Sequence, residues 1–253
     1  MTHALIDSSA MLRRVLRHTA RNPGTLIMAV LLPAVLLLLL DFGFGGAISI
    51  NGVRYVDYLV PGIILMGASY SASATAIAIA TDSSEGIIDR FRTMAIARAA
   101  VLTGHVVGSV LRSLAGTALV VLIALAVGFR PTTDPLRWLA AVGMVALMLF
   151  AIAWVAAGIG LATGTVSGAA SLAAIFQLLP FLSAAFVPTQ TMPGWLQAFT
   201  ANQPMTHIVL TLRGLLTDGA VGDHGWIAVI WCAGIAMVGY VWARAGYNRR
   251  PGA

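Results

Sequence analysis

The sequence predicts an all-α integral membrane protein of six transmembrane helices, with an N-terminal interfacial helix and re-entrant helices between spans five and six. Three observations carry this. From Trp138 to Leu212 there is no Asp, Glu, Lys or Arg; a helix rises about 1.5 Å per residue and the hydrocarbon core is about 30 Å thick, so about 20 apolar residues make one span and this run exceeds two. Hydrophobic residues make up 59% of the chain and charged residues 9%, with a mean hydropathy of +0.90, against about a quarter charged in a soluble domain. All 15 basic residues are Arg, and they fall unequally on the two sides of the apolar runs.

In order along the chain, residues 1–24 form a cytoplasmic amphipathic segment. Leu12, Val15, Leu16 and Thr19 share one helical face, while Arg13, Arg14, Arg17 and Arg21 crowd the others, as in a helix lying on an anionic leaflet. The same arginines equally serve a plain positive-inside anchor. The six-span region, 25–243, follows, with spans at about 25–44, 58–80, 101–129, 136–162, 168–187 and 226–243, and a cytoplasmic tail at 244–253. The first apolar run reads as a retained span, because Asp41, Phe42 and Gly43 offer no small-x-small cleavage site. Pro33 should kink it, lacking an N–H and crowding the preceding turn. Dense Gly and Ala from Ala156 to Ala170 let spans four and five approach closely.

Six spans put both termini on one side. With the N-terminus inside, ten arginines (13, 14, 17, 21, 90, 92, 98, 244, 249 and 250) face the cytoplasm and four (54, 130, 137 and 213) face outward. The bias places both ends in the cytoplasm and the chain in the plasma membrane. Arg112 stands inside the third apolar segment, where a charge at mid-bilayer costs about 3 kcal/mol on insertion scales. Either it snorkels to the cytoplasmic surface or it serves a pathway or a partner.

Several chemistries are excluded. Without a lysine there is no Walker A motif, so the chain does not itself hydrolyse ATP. His3, His18, His105, His207 and His224 are scattered, with no HExxH, paired Cys or acidic cluster, so neither a metal site nor a catalytic residue is expected. The single Cys232 sits in an apolar stretch and is read as packing. The carboxylates fall near span ends or in loops, which removes the usual engine of an ion-driven carrier. The arginines track topology, so no nucleic-acid partner is expected.

Two segments stand out. Residues 81–98 contain Asp82, Glu85, Asp89, Arg90 and Arg92 around an apolar edge of Ile87, Ile88 and Phe91, a short amphipathic element that can dock into a groove on another protein. Residues 188–216 stay apolar but are broken by Pro188, Pro193 and Pro204, with Trp195 and Phe199 suited to the interfacial belt; they read as helices that dip into the membrane and return.

On these residues the chain resembles the membrane-spanning subunits of ABC type-2 exporters, in particular the daunorubicin-resistance-like drug-efflux permeases. Tyr58-Leu59-Val60-Pro61-Gly62-Ile63 looks like that family's opening of span two, and Ser84-Glu85-Gly86-Ile87-Ile88-Asp89-Arg90-Phe91-Arg92 resembles its cytoplasmic acidic-Gly-Thr-x-acidic-Arg segment. Met192-Pro193-Gly194-Trp195-Leu196, Asn202-Gln203-Pro204 and Leu212-Arg213-Gly214-Leu215-Leu216 look like its outer re-entrant region. Ile87 replaces the usual Thr, and Ala95-Ile96-Ala97-Arg98 lacks the Pro common before Ile-x-Arg.

The resemblance implies a permease that pairs with a second permease subunit, expected as a homodimer, and with two separate ATP-binding subunits that hold ATP and Mg, this chain carrying no cofactor. It implies docking through Asp82, Glu85, Gly86, Asp89, Arg90 and Arg92, and export of an amphipathic drug, antibiotic or lipid-like molecule. Tyr70, Phe176, Gln177, Phe181 and Phe186 are the expected contributors to the pathway. Export of polysaccharide or a lipid-linked glycan, or a non-transporting assembly role, are the alternative readings.

Overall fold

The computed structural model describes residues 23–46, 53–86 and 98–249. Arg13, Arg14, Arg17, Arg21, Asp89, Arg90 and Arg92 lie outside the described residues. Eight α-helices make up most of the described chain: α1 (Pro23–Phe44), α2 (Tyr55–Ser84), α3 (Arg98–Val127), α4 (Pro135–Thr163), α5 (Val166–Leu178), α6 (Gly194–Asn202), α7 (Pro204–Leu216) and α8 (His224–Arg249). Short 3-10 turns at Leu179–Leu182 and Thr189–Thr191 separate α5 from α6.

Among the described residues, four helices are long and apolar enough to cross a membrane: Tyr55–Ser84, Leu102–Val127, Pro135–Thr163 and His224–Tyr247. They coincide with predicted spans two, three, four and six, each within a few residues. Two shorter apolar stretches, Val30–Phe44 and Val166–Leu182, fall on predicted spans one and five.

Local chemistry sets the boundaries. Asp134 caps α4 by accepting a hydrogen bond from the Leu136 N–H (2.9 Å), with Pro135 in the first turn where its missing N–H costs nothing. Thr165 accepts from the Gly168 N–H (3.2 Å) and starts α5 directly after α4 ends. The fifth predicted span, 168–187, does not form one continuous helix. It leaves α-helical geometry at Leu178, because Pro180 supplies no N–H to the ladder. Pro33 and Pro61 both lie inside helices, α1 and α2.

Helix α2 is the hub, packing against α1, α3, α4, α5 and α7. Its most apolar stretch is 72% buried, against 17% for α3 and 22% for α8, so α3 and α8 turn most of their surface outward. The main core runs along α2 through Leu59, Ile63 and Leu65 to Met148 of α4 and Ile208 and Leu212 of α7. A smaller cluster joins Ile79, Val106, Trp154, Leu161 and Tyr247 near the Asp82 end of the bundle. There Trp154 meets Tyr240 edge to face, with ring centroids 4.9 Å apart.

Helices α2 and α4 come close at Gly160, where a Cβ would lie 2.6 Å from the Ala76 carbonyl oxygen and 3.0 Å from Ile79 Cβ. Backbone cannot yield as a side chain tip can. Gly160→Val is therefore expected to destabilise the protein by about 1–3 kcal/mol through forced separation of the helices. Gly143→Ala in the same helix, where nothing lies within 4 Å, should leave the melting temperature of the detergent-solubilised protein unchanged or raised. Equal melting temperatures for the two variants would refute this account of the α2–α4 contact.

Candidate functional site

Since α2 is enclosed, many of its polar side chains meet partners on neighbouring helices, while the buried Ser69 donates to the Leu65 carbonyl of its own helix. They do so at three levels. At the Asp82 end, the Asp82 carboxylate lies 3.2 Å from His105 Nε2 and fastens the last turn of α2 to α3. Thr81 and Ser84 hydroxyls turn back to the Ile77 and Thr81 carbonyls. Glu85 follows, exposed, and Gly86 leaves the helix with φ of +69°. Of the residues expected to dock a partner, Glu85 and Gly86 are thus presented outward, while Asp82 also works within the bundle.

In the middle, α2 and α3 share a seam of hydroxyls. Ser71 pairs with Ser113, and Thr75 pairs with Ser109 while donating back to the Ser71 carbonyl (2.8 Å). On the other flank of α2, Ser73 donates to the Ala173 carbonyl (3.0 Å) and accepts from Gln177 Nε2 (3.1 Å), tying in α5. Arg112 enters this seam sideways. Its Nη2 reaches Thr75 Oγ1 at 3.5 Å, and the side chain lines a small cavity with Ser71 and Ser113.

At the Asp57 end, three stretches far apart in sequence meet. Asp57 receives both forks of Arg54 (3.0 and 3.1 Å) and the backbone N–H of Arg130 (3.1 Å), while Arg54 Nη1 donates to the Gly128 carbonyl (2.5 Å). This joins the start of α2 to the α3–α4 connection. Next to it, the Arg213 guanidinium of α7 lies 3.6 Å over the Tyr58 ring. Arg213 Nη2 is within hydrogen-bond distance of the Ala184 (3.0 Å), Tyr58 (3.2 Å) and Ala185 (3.4 Å) carbonyls. Tyr58 donates its own hydroxyl to Ala184 O (3.2 Å).

The same loop is gripped from behind. The Gln203 amide and the Thr200 hydroxyl donate to the Leu182 carbonyl, and Thr206 Oγ1 accepts from the Ala184 N–H (3.3 Å). Gly62 is required here, since a Cβ would lie 2.7 Å from Ala185 O. A pocket of about 310 Å³ opens beside this clasp, lined by Asp57, Tyr58, Gln190, Arg213 and Thr217. Helix α7 is also joined to α8 by His207 and His224, whose Nδ1 atoms are 3.0 Å apart.

The expected pathway residues divide. Gln177 reaches α2, and Phe181 stacks on Phe186 with centroids 5.1 Å apart. Phe176 packs against the main core. Tyr70 is half-buried on α2. Sequence reasoning missed the Arg54–Asp57 fork, the Arg213 stack and the histidine pair. The i, i+3 spacing of Arg54 and Asp57 was a usable signal; the others join residues too distant in sequence to be paired by inspection.

This architecture has relatives. A family model described as ABC-2 type transporter matches residues 8–217. The daunorubicin resistance ABC transporter permease protein DrrB1 of Streptomyces coeruleorubidus is 32% identical over 218 residues, covering 85% of this chain and 74% of the relative. The protein named "Probable doxorubicin resistance ABC transporter permease protein DrrC" of Mycobacterium tuberculosis is 26% identical over 237 residues in each of two strains, covering 93% of this chain and 86% of the relative. With most of its length matched, an all-helical bundle and long apolar helices, the chain belongs to the ABC-2 type transporter family, as a multi-pass membrane permease.

Proposed function

We propose that this chain is the membrane-spanning subunit of an ATP-driven exporter that moves an amphipathic drug, antibiotic or lipid-like molecule out of the cell. The observation that carries the mechanism is the course of α2, which joins the expected docking segment, the hydroxyl seam and the Arg213 clasp in one enclosed helix. Two ATP-binding subunits would press on the segment from Asp82 through Glu85 and Gly86 to Asp89, Arg90 and Arg92. Because α2 is packed on five neighbours, the push cannot be absorbed by bending in lipid; it must move the seam and the clasp. The relatives' names, which speak of resistance to daunorubicin and doxorubicin, support an amphipathic cargo.

In this reading α1 and the unit formed by α5 and its 3-10 turn supply the remaining two of six spans, α6 and α7 are the re-entrant pair, and both termini are cytoplasmic. The Asp82 end is the cytoplasmic end and the clasp faces outward. A second permease, expected to be another copy of the chain, completes the pathway between the subunits, to which Tyr70, Phe176, Gln177, Phe181 and Phe186 are the expected contributors. The catalytic chemistry, with ATP and Mg, belongs to the partner.

Topology is testable with two cysteines introduced after Cys232→Ala. Ser84→Cys should react with a membrane-impermeant maleimide only in opened membranes, and Asp223→Cys already in intact cells; the reverse pattern overturns the orientation. Glu85→Arg should leave the chain inserted while lowering recovery of the ATP-binding subunit in a pull-down, and export, by about tenfold through charge reversal at the contact. Unchanged export in that variant would remove the docking assignment. Arg213→Met should leave that recovery intact yet reduce export about tenfold or more, since charged hydrogen bonds of about 1.5–3 kcal/mol are lost at the clasp. Full export would show the clasp to be dispensable.

A further inference from the structure

Arg112 is a fixed cation halfway along a 30-residue helix, and among the described residues no carboxylate lies within ion-pair distance of it. A guanidinium inside a membrane is retained where something answers its charge. Arg112 has Thr75 as its hydroxyl partner (3.5 Å), and with the mutually paired Ser71 and Ser113 and with Thr117 it lines a cavity of about 30 Å³, which is the volume of about one water molecule. Such a space accepts an oxygen of a charged group and excludes a ring system. Gly116 also lines it and keeps the space open on the α3 side.

Ile64 and Thr117 are shared with a second chamber of about 450 Å³ between α2, α3, α4 and α7, whose exposed lining is wholly apolar. Leu122, Trp138, Val142, Leu212 and Leu216 line that chamber. Leu122 and Val142 at its edge are 59% and 50% exposed, so an apolar body can enter from the side of the bundle. An apolar cavity of about 150 Å³ takes up benzene; three times that volume holds an alkyl chain or a small fused ring body. One wall is therefore cationic and hydroxyl-rich, and the adjoining space is greasy.

We infer that Arg112 and this chamber form one binding site for an amphipathic anion, an oxyanion of carboxylate or phosphate type on Arg112 with its apolar body in the α3–α4–α7 chamber. A cationic amphiphile of the same shape meets like charge at Arg112 and is disfavoured. The oxyanion can come from a free acid or from a bilayer phospholipid. Calling the ligand a cargo rests on the export reading; the site itself does not, and its test needs no ATP-binding subunit.

The test is equilibrium binding of a spin-labelled C16 carboxylic acid and of a C16 trimethylammonium with the same label, to the purified full chain in phosphatidylcholine nanodiscs, read by quenching of tryptophan fluorescence. Trp138→Phe identifies the signal from the chamber. The acid is expected to bind about tenfold or more tightly than the ammonium, as befits a charge-assisted hydrogen bond. Arg112→Gln should collapse the ratio to about one, Arg112→Lys should restore most of it, and Val142→Trp should weaken both probes alike. Equal binding of the two probes to the unaltered chain, or an acid preference that survives Arg112→Gln, overturns the inference. Repeating the titration with phosphatidylglycerol in the nanodisc, scored as the unaltered chain against Arg112→Gln in the same bilayer so that surface charge cancels, settles the source: loss of that difference identifies the anionic phospholipid as occupant, and an unchanged difference identifies the free acid.

Discussion

The enclosure of α2 is the constraint on which the rest of the structure depends. An apolar helix facing lipid can leave its hydroxyls hydrogen-bonded to its own backbone. A helix surrounded by five others can also set polar side chains against particular neighbours, although the buried Ser69 hydroxyl stays with the Leu65 carbonyl of its own helix. Ser71, Ser73, Thr75 and Asp82 each select a partner on α3 or α5. Individually such interhelical bonds are worth about 0.6 kcal/mol in membrane proteins. Their value here lies in register: sliding α2 by one turn breaks the Ser71–Ser113 and Thr75–Ser109 pairs together, so the helix has discrete positions instead of a continuum.

That discreteness suits a lever. Both of its ends are fastened. Asp82 lies against His105 beside the exposed Glu85, and at the opposite end the Arg54, Tyr58 and Arg213 side chains and the Arg130 N–H join the start of α2 to the stretches around Gly128 and Ala184. Movement imposed at the Asp82 end reaches the other only by shifting several contacts at once. Since Arg213 bonds loop carbonyls and not acidic side chains, it can exchange Ala184 for Ala185 with little change in charge energy. The clasp thus has neighbouring states within reach.

Much of the fold was legible in the sequence because lipid imposes a length rule, and α2, α3, α4 and α8 obey it to within a few residues. The Asp134-Pro135 start of α4 was also a local signal of the kind that survives without tertiary context. The fifth span shows where the rule fails: apolarity measures whether residues can enter lipid, but the hydrogen-bonding gap at Pro180 decides where the helix stops. The site was legible as motifs and not as geometry. Tyr58, Gln203 and Arg213 each lie in a segment that stood out, yet the Arg213 contact to Tyr58 O joins residues 155 apart, and no periodicity encodes a pairing of that separation.

Arg112 shows why such pairings matter for function. Seen along α3 alone, it is a charge to be disposed of, and the nearest water is the economical solution. Seen with α2 in place, it faces Thr75 and a cavity that serine hydroxyls share, under an apolar chamber that reaches α7. Leu212 lines that chamber and precedes Arg213 of the clasp, and Ile64 lines both cavities one residue after Ile63 of the core. A body filling the chamber would therefore press on the helix whose next residue holds the outer loop. Occupancy of the Arg112 site and release of the clasp become two readings of one displacement of α7 against α2.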